Sequence, residues 1–443
     1  MDLRAAFRKA ESAEVDDAWL RAEQRERWLL SRVDGTFAQR SIATQALQLE
    51  TRIATAVGLA SSSSFAAAER CAQASLELAE RSAALGIAPE QLALRASEVF
   101  AHRSELEGMP EGECLRDASA LVEALDAAMC ESGALASRSV ALRIERCQRS
   151  LLSLAGGESI EQWYEFHLEL HASSGDRDAE RSWRYACRAQ QPELGAERLL
   201  VEARSVAEEA RALATAGRMP RMRSTVVLDH ELMAVISYET LGMLSFPVDP
   251  ERLPAAESRL ASGQLSLSVD TETASWLMSR AFDDAGYPGS RRELVSEGYL
   301  RATLLEAPEG HFRAVPLSQP VRPMVTNLVL AAGRWSVEEL LQKSDELIVV
   351  KGARRWWLDG GRRRVVVEGE YAFSTAGAGP WRRPTLSFDL YDFWRACHGV
   401  GSERLQLPLP SSGEAQSVCV VPMALFDELE LGTKAEGLSL VDG

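Results

Sequence analysis

The chain changes its sequence pattern at residues 217–222, the segment GRMPRM, and this change limits what it can fold into. Before this segment, long Ala-, Leu- and Glu-rich stretches typical of helices alternate with long stretches typical of strands. After it, short strand-like runs are separated by turn residues every several positions. The sequence therefore predicts an α+β fold, with antiparallel sheets and helices in a two-part N-terminal half and a β-rich C-terminal domain.

The N-terminal half divides at GMPEGE, residues 108–113, a break that carries Gly and Pro. Before the break, short-period alternation over residues 16–53 predicts an antiparallel strand pair that turns at Asp34-Gly35, followed by a helix. After the break, similar sequence patterns predict a helix, then strands, then another helix. We therefore predict three domains, at residues 1–107, 108–222 and 223–443.

Length and charge exclude several classes of protein. A chain of 443 residues is too long for one ordinary core, and its net charge of -16 disfavours nonspecific attraction to nucleic acid or anionic membrane. The N-terminus is charged where a signal peptide requires an apolar stretch, and no run reaches membrane-spanning length. The seven scattered cysteines include no CxxC pair, which favours a reducing compartment. We predict a cytoplasmic protein that binds neither nucleic acid nor membrane.

His230-Glu231 forms the sharpest local signal, between the strand-like STVVLD and the helix-like LMAVISYETLGML. In a metallopeptidase, HE followed by a second His places two imidazoles on the metal and the Glu beside the metal-bound water. Here the second His is absent. A His and a Glu at an ordinary strand-to-helix junction are therefore the simpler interpretation of the dipeptide alone.

Two other stretches could carry chemistry. His167 and His171 are four residues apart, a spacing that suits a metal on a helix, but their segment alternates as a strand does and predicts a solvated polar face. The Arg- and Trp-rich residues 353–364 could bind nucleic acid, but the overall acidity favours a solvated hairpin or a subunit contact. Nucleotide-binding and serine-hydrolase motifs are missing from the sequence.

Several segments together resemble the TldD/PmbA (modulator of DNA gyrase) family over nearly the whole chain. The most specific are the Asp/Gly/Pro turn at residues 283–288 with the strand pair after it, the Thr326-Asn327 step, and residues 413–418, which are similar to the family's GxxQSV segment. The strand that runs into His230-Glu231 occupies the corresponding place in the order of elements.

The resemblance implies a zinc site of which this chain keeps little. In catalytic members, HExxxH supplies two His ligands and a Glu base, and a Cys before the GxxQSV-like segment supplies a third ligand. This chain keeps His230 and Glu231, but the second His falls at Val235 and the Cys at about Ser411. Glu239, nine positions after His230, could replace a missing zinc ligand if the helix that begins near His230 extends that far, but a solvated acid on a helix is the simpler interpretation. We therefore expect no metal here, with zinc only in a partner subunit, and treat His230 and Glu231 as a remnant catalytic motif.

By resemblance, the chain is expected to be a non-catalytic subunit that pairs with a zinc-bearing TldD-like subunit, or with itself, and encloses an extended peptide substrate. Two alternatives remain open. One is an active metallopeptidase that uses His230 and Glu231 with non-standard ligands, and the other is a peptide-binding regulatory protein without proteolysis. Enzymatic activity of the chain alone is left undecided by the sequence.

Overall fold

The computed structural model describes most of the chain, with gaps. Strands take up about 51% of the residues and helices about 23%, which confirms the predicted α+β class. The predicted domain boundaries remain a prediction. The described residues are 15–54, 56–85, 101–103, 111–131, 133–175, 179–188, 195–242, 257–304, 308–313, 319, 321–359, 364–409 and 417–432.

The elements of the first half are long, as the alternating and helical patterns predicted. A short 3₁₀ turn, Phe65–Ala67, leads into the first helix, and Ser64 caps it by accepting a hydrogen bond from the Ala66 amide. In chain order the elements are Asp17–Val33 (β1), Thr36–Ile53 (β2), Ala56–Ser62 (β3), Ala68–Ala84 (α1), Ala101–Arg103 (β4), Glu111–Cys130 (α2), Ser137–Ser153 (β5), Glu158–Ser173 (β6), Glu180–Cys187 (β7) and Ala196–Thr215 (α3).

The elements of the second half are mostly short strands. In chain order they are Gly217–Arg218 (β8), Met222–Leu228 (β9), His230–Ser237 (α4), Leu267–Asp270 (β10), Arg291–Ser296 (β11), Tyr299–Leu300 (β12), Phe312–Arg313 (β13), Arg322–Pro323 (β14), Asn327–Leu330 (β15), Val337–Leu341 (α5), Ile348–Asp359 (β16), Arg364–Ser374 (β17), Trp381–Arg382 (β18), Thr385–Asp389 (β19), Leu390–Arg395 (α6), Cys397–Pro408 (β20) and Val418–Gly432 (β21). A π-helical turn, Tyr238–Gly242, continues α4.

The first sheet has the order β3-β2-β1-β5-β6-β4, and β7 pairs with β6. Its strands are antiparallel except for the parallel pair β4 and β6. The β1–β2 hairpin turns at Asp34 and Gly35, both with positive φ, which confirms the predicted turn. Strands from before and after the break at residues 108–113 therefore belong to one sheet.

The second sheet has the order β12-β11-β10-β15-β21-β9-β16-β17-β18-β8, and both β19 and β20 pair with β21. Its central strand β9 lies between β16, which is parallel to it, and β21, which is antiparallel. Strands β16 and β17 form the hairpin predicted for the Arg- and Trp-rich stretch. Helix α4 follows β9 directly, so it begins at the carboxyl end of a central strand.

The two halves share a continuous apolar core. It runs from α2, α3 and the strands β5 to β7 into β9, α4 and the end of β21, with Leu142, Leu168, Val206, Leu232 and Phe426 among its buried members. A smaller cluster packs α1 against β1 and β2. Burying apolar side chains from both halves together favours one arrangement of the two sheets.

Strand β6 corrects one prediction from the sequence. The alternation over residues 163–171 does form a strand, but the face predicted to be solvated is covered at its Trp163 end, while Glu169 of the same face is exposed. Trp163 is 3% exposed and Glu165 is fully buried. The segment around Arg280 of the second half packs over Trp163, with the guanidinium carbon 4.0 Å from the ring centroid. A polar face in a strand indicates solvent only when no other element covers it.

Candidate functional site

His230 and Glu231 lie in the first turn of α4, as the strand-to-helix prediction required. Asp229 is the N-cap of this helix, and its carboxylate accepts a hydrogen bond from the Leu232 amide at 3.0 Å. The second carboxylate oxygen of Asp229 accepts from the Gly352 amide at 2.8 Å. The cap and the adjoining strand β16 thus fix where the two remnant residues lie.

His230 is buried and uncharged. Its side chain is 8% exposed, and burial lowers its pKa to about 4. The ring forms a hydrogen bond with the backbone of Glu403, and Nε2 has no hydrogen-bond partner among the described residues. One neutral imidazole nitrogen is therefore available in a buried position.

Glu231 forms an ion pair with an arginine of the first sheet. Its Oε2 lies 3.0 Å from Nη1 of Arg181, which comes from β7 of the first sheet. Burial raises the pKa of Glu231 to about 8, the charge of Arg181 opposes this rise, and the carboxylates of Asp229 and Glu370 add to it. The carboxyl group is therefore largely protonated at neutral pH.

Arg181 is the centre of a buried ionic group that joins the two halves. We call this group the Arg181 cluster. Nε of Arg181 lies 2.7 Å from Glu209 of α3, and Nη1 lies 2.7 Å from Glu370 of β17. Four carboxylates and two cations then lie together, so one protonated carboxyl group reduces the excess of negative charge. The members are Arg181, Glu209, Asp229, Glu231, Lys351 and Glu370.

Gly352 allows the cluster to close. Its φ is +70°, and a Cβ at this position would lie 2.5 Å from Nη1 of Arg181 and 2.8 Å from Oε2 of Glu370. Only glycine fits here without displacing the charged groups. The backbone of β16 can therefore approach Arg181 closely enough for the Gly352 amide to bind Asp229.

The positions of the other expected ligands do not complete a zinc site. Val235 is 3% exposed and belongs to the buried face of α4. Glu239 accepts a hydrogen bond from the Trp356 indole at 3.1 Å. Cys419 is not one of the expected ligands; its buried thiol donates to the Ala234 carbonyl at 3.4 Å, and burial raises its pKa, which disfavours a thiolate. Ser411 lies outside the described residues.

A catalytic zinc ion requires three protein ligands, and the described residues around His230 do not fit that requirement. Among the described residues, only Glu145, Cys147 and Glu165 form a group of three close ligand atoms, and they lie in the first sheet. Arg25 pairs with both carboxylates, 3.0 Å from Glu145 and 3.4 Å from Glu165. That group is an ionic network already supplied with cations.

His167 and His171 do not form a shared site. Nε2 of His167 lies 3.3 Å from Glu165, whereas Nδ1 of His171 lies 3.1 Å from the Ser182 hydroxyl. Each ring has a different neighbour on the sheet. The strand geometry thus assigns them separate, local contacts.

The segments that carried the family resemblance have structural roles. The Asp283 carboxylate accepts hydrogen bonds from four backbone amides and so fixes the turn at residues 283–288. The Asn327 side chain binds the Met278 amide at 3.1 Å and the Asp270 carbonyl at 2.8 Å. Of the last similar segment, residues 413–416 lie outside the described residues.

Sequence reasoning missed Arg181, although the strand pattern contained a signal. In β7, Arg181 alternates in phase with Trp183 and Tyr185, and all three are buried. An arginine on the apolar face of a strand must find buried carboxylates. Its partners lie 28 to 189 residues away in sequence, so the pattern alone could not identify them.

The comparisons with known proteins agree with this fold. Residues 221–433 match the model of the PmbA/TldA metallopeptidase C-terminal domain. A metalloprotease of Methanocaldococcus jannaschii, MJ0996, is 28% identical over 158 residues, which is 32% of this chain and 35% of the relative. The match thus spans about a third of the length of that curated relative.

Solved structures show the same fold at low sequence identity. TldE from Thermococcus kodakarensis aligns with a TM-score of 0.74 and 12% identity, over 97% of this chain and 99% of that one. A candidate modulator of DNA gyrase from Thermotoga maritima aligns with a TM-score of 0.75 and 15% identity, also over 97% and 99%. The chain therefore belongs to the TldD/PmbA family, with the family's metallopeptidase C-terminal domain at residues 221–433.

Proposed function

We propose that this chain is a non-catalytic subunit of a TldD/PmbA-type peptidase complex in the cytoplasm, and that it helps a zinc-bearing partner enclose extended peptides. One observation carries the proposal. The Glu231 carboxyl group, which a metallopeptidase would use as its base, is bound to Arg181 at 3.0 Å, one turn of helix from an apolar Val235. Glu231 of the motif therefore contributes to the contact between the two halves of the chain.

An exposed sheet edge supports the binding of an extended segment. β3 pairs with β2 only from Leu47 onward, so Thr36–Ala46 has β1 as its only strand partner among the described residues. Most of this stretch is exposed, and Arg40 is its only charged residue. Unpaired backbone groups of this kind bind an additional strand from a peptide or a subunit.

Within the described residues, no helix combines the length and apolar character needed to cross a membrane.

The proposed partner is a chain with an intact HExxxH motif, or a second copy of this chain. Zinc is assigned to the partner alone.

Metal analysis of the purified chain tests the proposal. We expect far less than one zinc per chain in the protein alone, because the described donors include one imidazole where catalysis requires three ligands. The chain is then co-expressed with a genomic neighbour that carries HExxxH. Zinc and peptidase activity should appear in the complex, survive His230→Ala in this chain, and disappear when the partner's first motif His is replaced by Ala.

Two other outcomes would overturn the proposal in different directions. About one zinc per chain in the protein alone, lost with peptidase activity in His230→Ala, would establish an active enzyme with non-standard ligands. A chain that binds peptide but forms no complex with any HExxxH-bearing protein would be a regulatory peptide-binding protein.

A further inference from the structure

Arginine side chains converge on Trp163, where the first sheet meets the loop at residues 277–284. The guanidinium carbons of Arg280 and Arg188 lie 4.0 Å and 4.7 Å from the Trp163 ring centroid. Arg280 is 3% exposed, and Arg149 and Arg313 are 5% and 6% exposed. We call Arg149, Arg188, Arg280 and Arg313 the Trp163 arginine group.

This group has fewer bound carboxylates than cations. Arg149 pairs with Asp284 and lies 3.7 Å from Glu161. Asp284 is also 3.8 Å from Nε of Arg313. Within the described part of the chain, neither Arg188 nor Arg280 has a carboxylate within ion-pair distance.

Two arginines of the group, Arg280 and Arg313, keep unused hydrogen-bond donors. Nε and Nη2 of Arg280, and Nε and Nη1 of Arg313, are buried without a hydrogen-bond partner among the described residues. Arg280 uses only Nη1, which donates to the Ser279 carbonyl at 2.6 Å and to that of Leu277 at 3.3 Å. Buried donors without acceptors are costly and point to a group that binds them.

Proton loss cannot relieve this excess of charge. Burial and repulsion from Arg313 and Arg188 lower the pKa of Arg280 well below its usual range, yet a guanidinium keeps its proton in proteins. Glu23 and Glu161 lie within electrostatic range of Arg280, but the Glu23 carboxylate is hydrogen bonded to Arg25, and the Glu161 carboxylate accepts from the Ala281 amide and lies 3.7 Å from Arg149. A bound anion would supply hydrogen-bond acceptors to the donors of Arg280 and Arg313 that have none among the described residues.

Arg25, in the same interior, provides a contrast. Its guanidinium lies within 3.4 Å of Glu23, Glu145 and Glu165. Burial alone would lower its pKa, but these carboxylates outweigh burial and raise it. The fold can therefore surround a buried arginine with carboxylates, which it does at Arg25 and does not do at Arg280.

We propose that Arg188, Arg280 and Arg313 form a binding site for an oxyanion, held against Trp163. The guanidinium of arginine can donate two parallel hydrogen bonds to a pair of oxygens of a carboxylate or a phosphate, and the buried setting strengthens these charge-assisted hydrogen bonds. The anion is either a free phosphate-like ion or the carboxylate of a peptide terminus. The peptide source rests on the proposed function, whereas the anion site does not.

The first test uses the wild-type full-length chain and inorganic phosphate as the probe. The melting temperature is measured against phosphate concentration, with ionic strength held constant by sodium chloride. We expect a saturable rise of roughly 3 °C at high occupancy, because a ligand that binds only the folded state stabilises it. A melting temperature that phosphate, acetate and a free-carboxylate peptide all leave unchanged would overturn the site.

Variants then locate the binding. Arg280→Met should abolish the phosphate-dependent rise and leave the melting temperature in chloride equal or higher, because it removes an unmatched buried charge. Arg313→Met gives the same readout if Arg280→Met fails to fold. Arg221→Met, which replaces an arginine that is 83% exposed, should keep the full rise. A lower melting temperature in chloride with an intact phosphate response would show a structural role for Arg280 and contradict the proposal.

Calorimetric competition separates the two sources. A short peptide with a free C-terminal carboxylate should displace phosphate if the site reads peptide ends, and the same peptide with an amidated C-terminus should not. Displacement by neither peptide, with phosphate binding intact, assigns the site to a free anion. That result would leave the zinc measurements on the proposed function unaffected.

Discussion

At the scale of single residues, Glu231 shows how an environment changes the role of a side chain. Beside a metal-bound water, a glutamate in this position acts as a base. Here it lies 3.0 Å from Arg181 in a group where carboxylates outnumber cations, and its pKa rises to about 8. A carboxyl group that keeps its proton at neutral pH serves as a hydrogen-bonding partner in the junction.

Glu231→Gln is expected to remove part of the pH dependence of stability. The folded pKa of about 8 exceeds the ordinary 4.5, so the contribution of the protonated group is fully present below pH 4.5 and is lost as the pH rises through about 8. Wild type should lose roughly 1–3 kcal/mol between pH 6 and pH 9 from this group, and the variant should lose less. Urea unfolding at both pH values measures the difference, and parallel losses would contradict the assignment.

At the scale of elements, helix α4 depends on its first turn. Asp229 caps the helix through one carboxylate oxygen and binds the Gly352 amide of β16 through the other. The helix therefore has a defined position relative to the neighbouring strand. The short length of α4, His230–Ser237, makes this cap a large part of its local stability.

Replacement of Asp229 should destabilise the chain in a graded way. Asp229→Ala loses both hydrogen bonds and is expected to cost about 2 kcal/mol. Asp229→Asn keeps one side-chain oxygen for the cap and should cost less. Chemical denaturation of both variants at pH 7 gives the order, and equal losses would mean that the charge of Asp229, not the cap, is what matters.

At the scale of the whole molecule, Arg181 joins the two sheets. It belongs to β7 of the first sheet, and its partners lie on α3, α4 and β17. Breaking a buried ionic group by removing one member leaves the remaining charges uncompensated. The continuous apolar core brings the halves together. The Arg181 cluster in addition requires that the arginine of one half meets the carboxylates of the other.

Arg181→Met should lower the free energy of unfolding by roughly 3–5 kcal/mol, because four carboxylates lose their shared cation. Arg184→Met is the matched control on the same strand. Arg184 is 40% exposed and pairs with an exposed Glu169 at 3.0 Å, so its loss should cost less than about 1 kcal/mol. Equal losses in the two variants, measured by denaturant unfolding, would show that the cluster does not stabilise the junction.

The local pattern of the sequence was sufficient to predict several of the secondary-structure elements. Alternation and the Asp34-Gly35 pair predicted the β1–β2 hairpin, and the apolar run before His230 predicted β9 and the start of α4. The segments at residues 283–288 and at Thr326-Asn327 carried the resemblance to the family. These features depend on neighbours within a few residues, so the sequence contains them directly.

Only the tertiary structure decided what the polar residues of those elements do. Glu231 meets Arg181 from 50 residues away, and the Trp163 face of β6 is covered by a segment more than a hundred residues later. Periodicity identifies which side chains share a face, but it does not indicate whether another element covers that face. Charge matching in a buried junction depends on the placement of whole sheets, which local pattern does not encode.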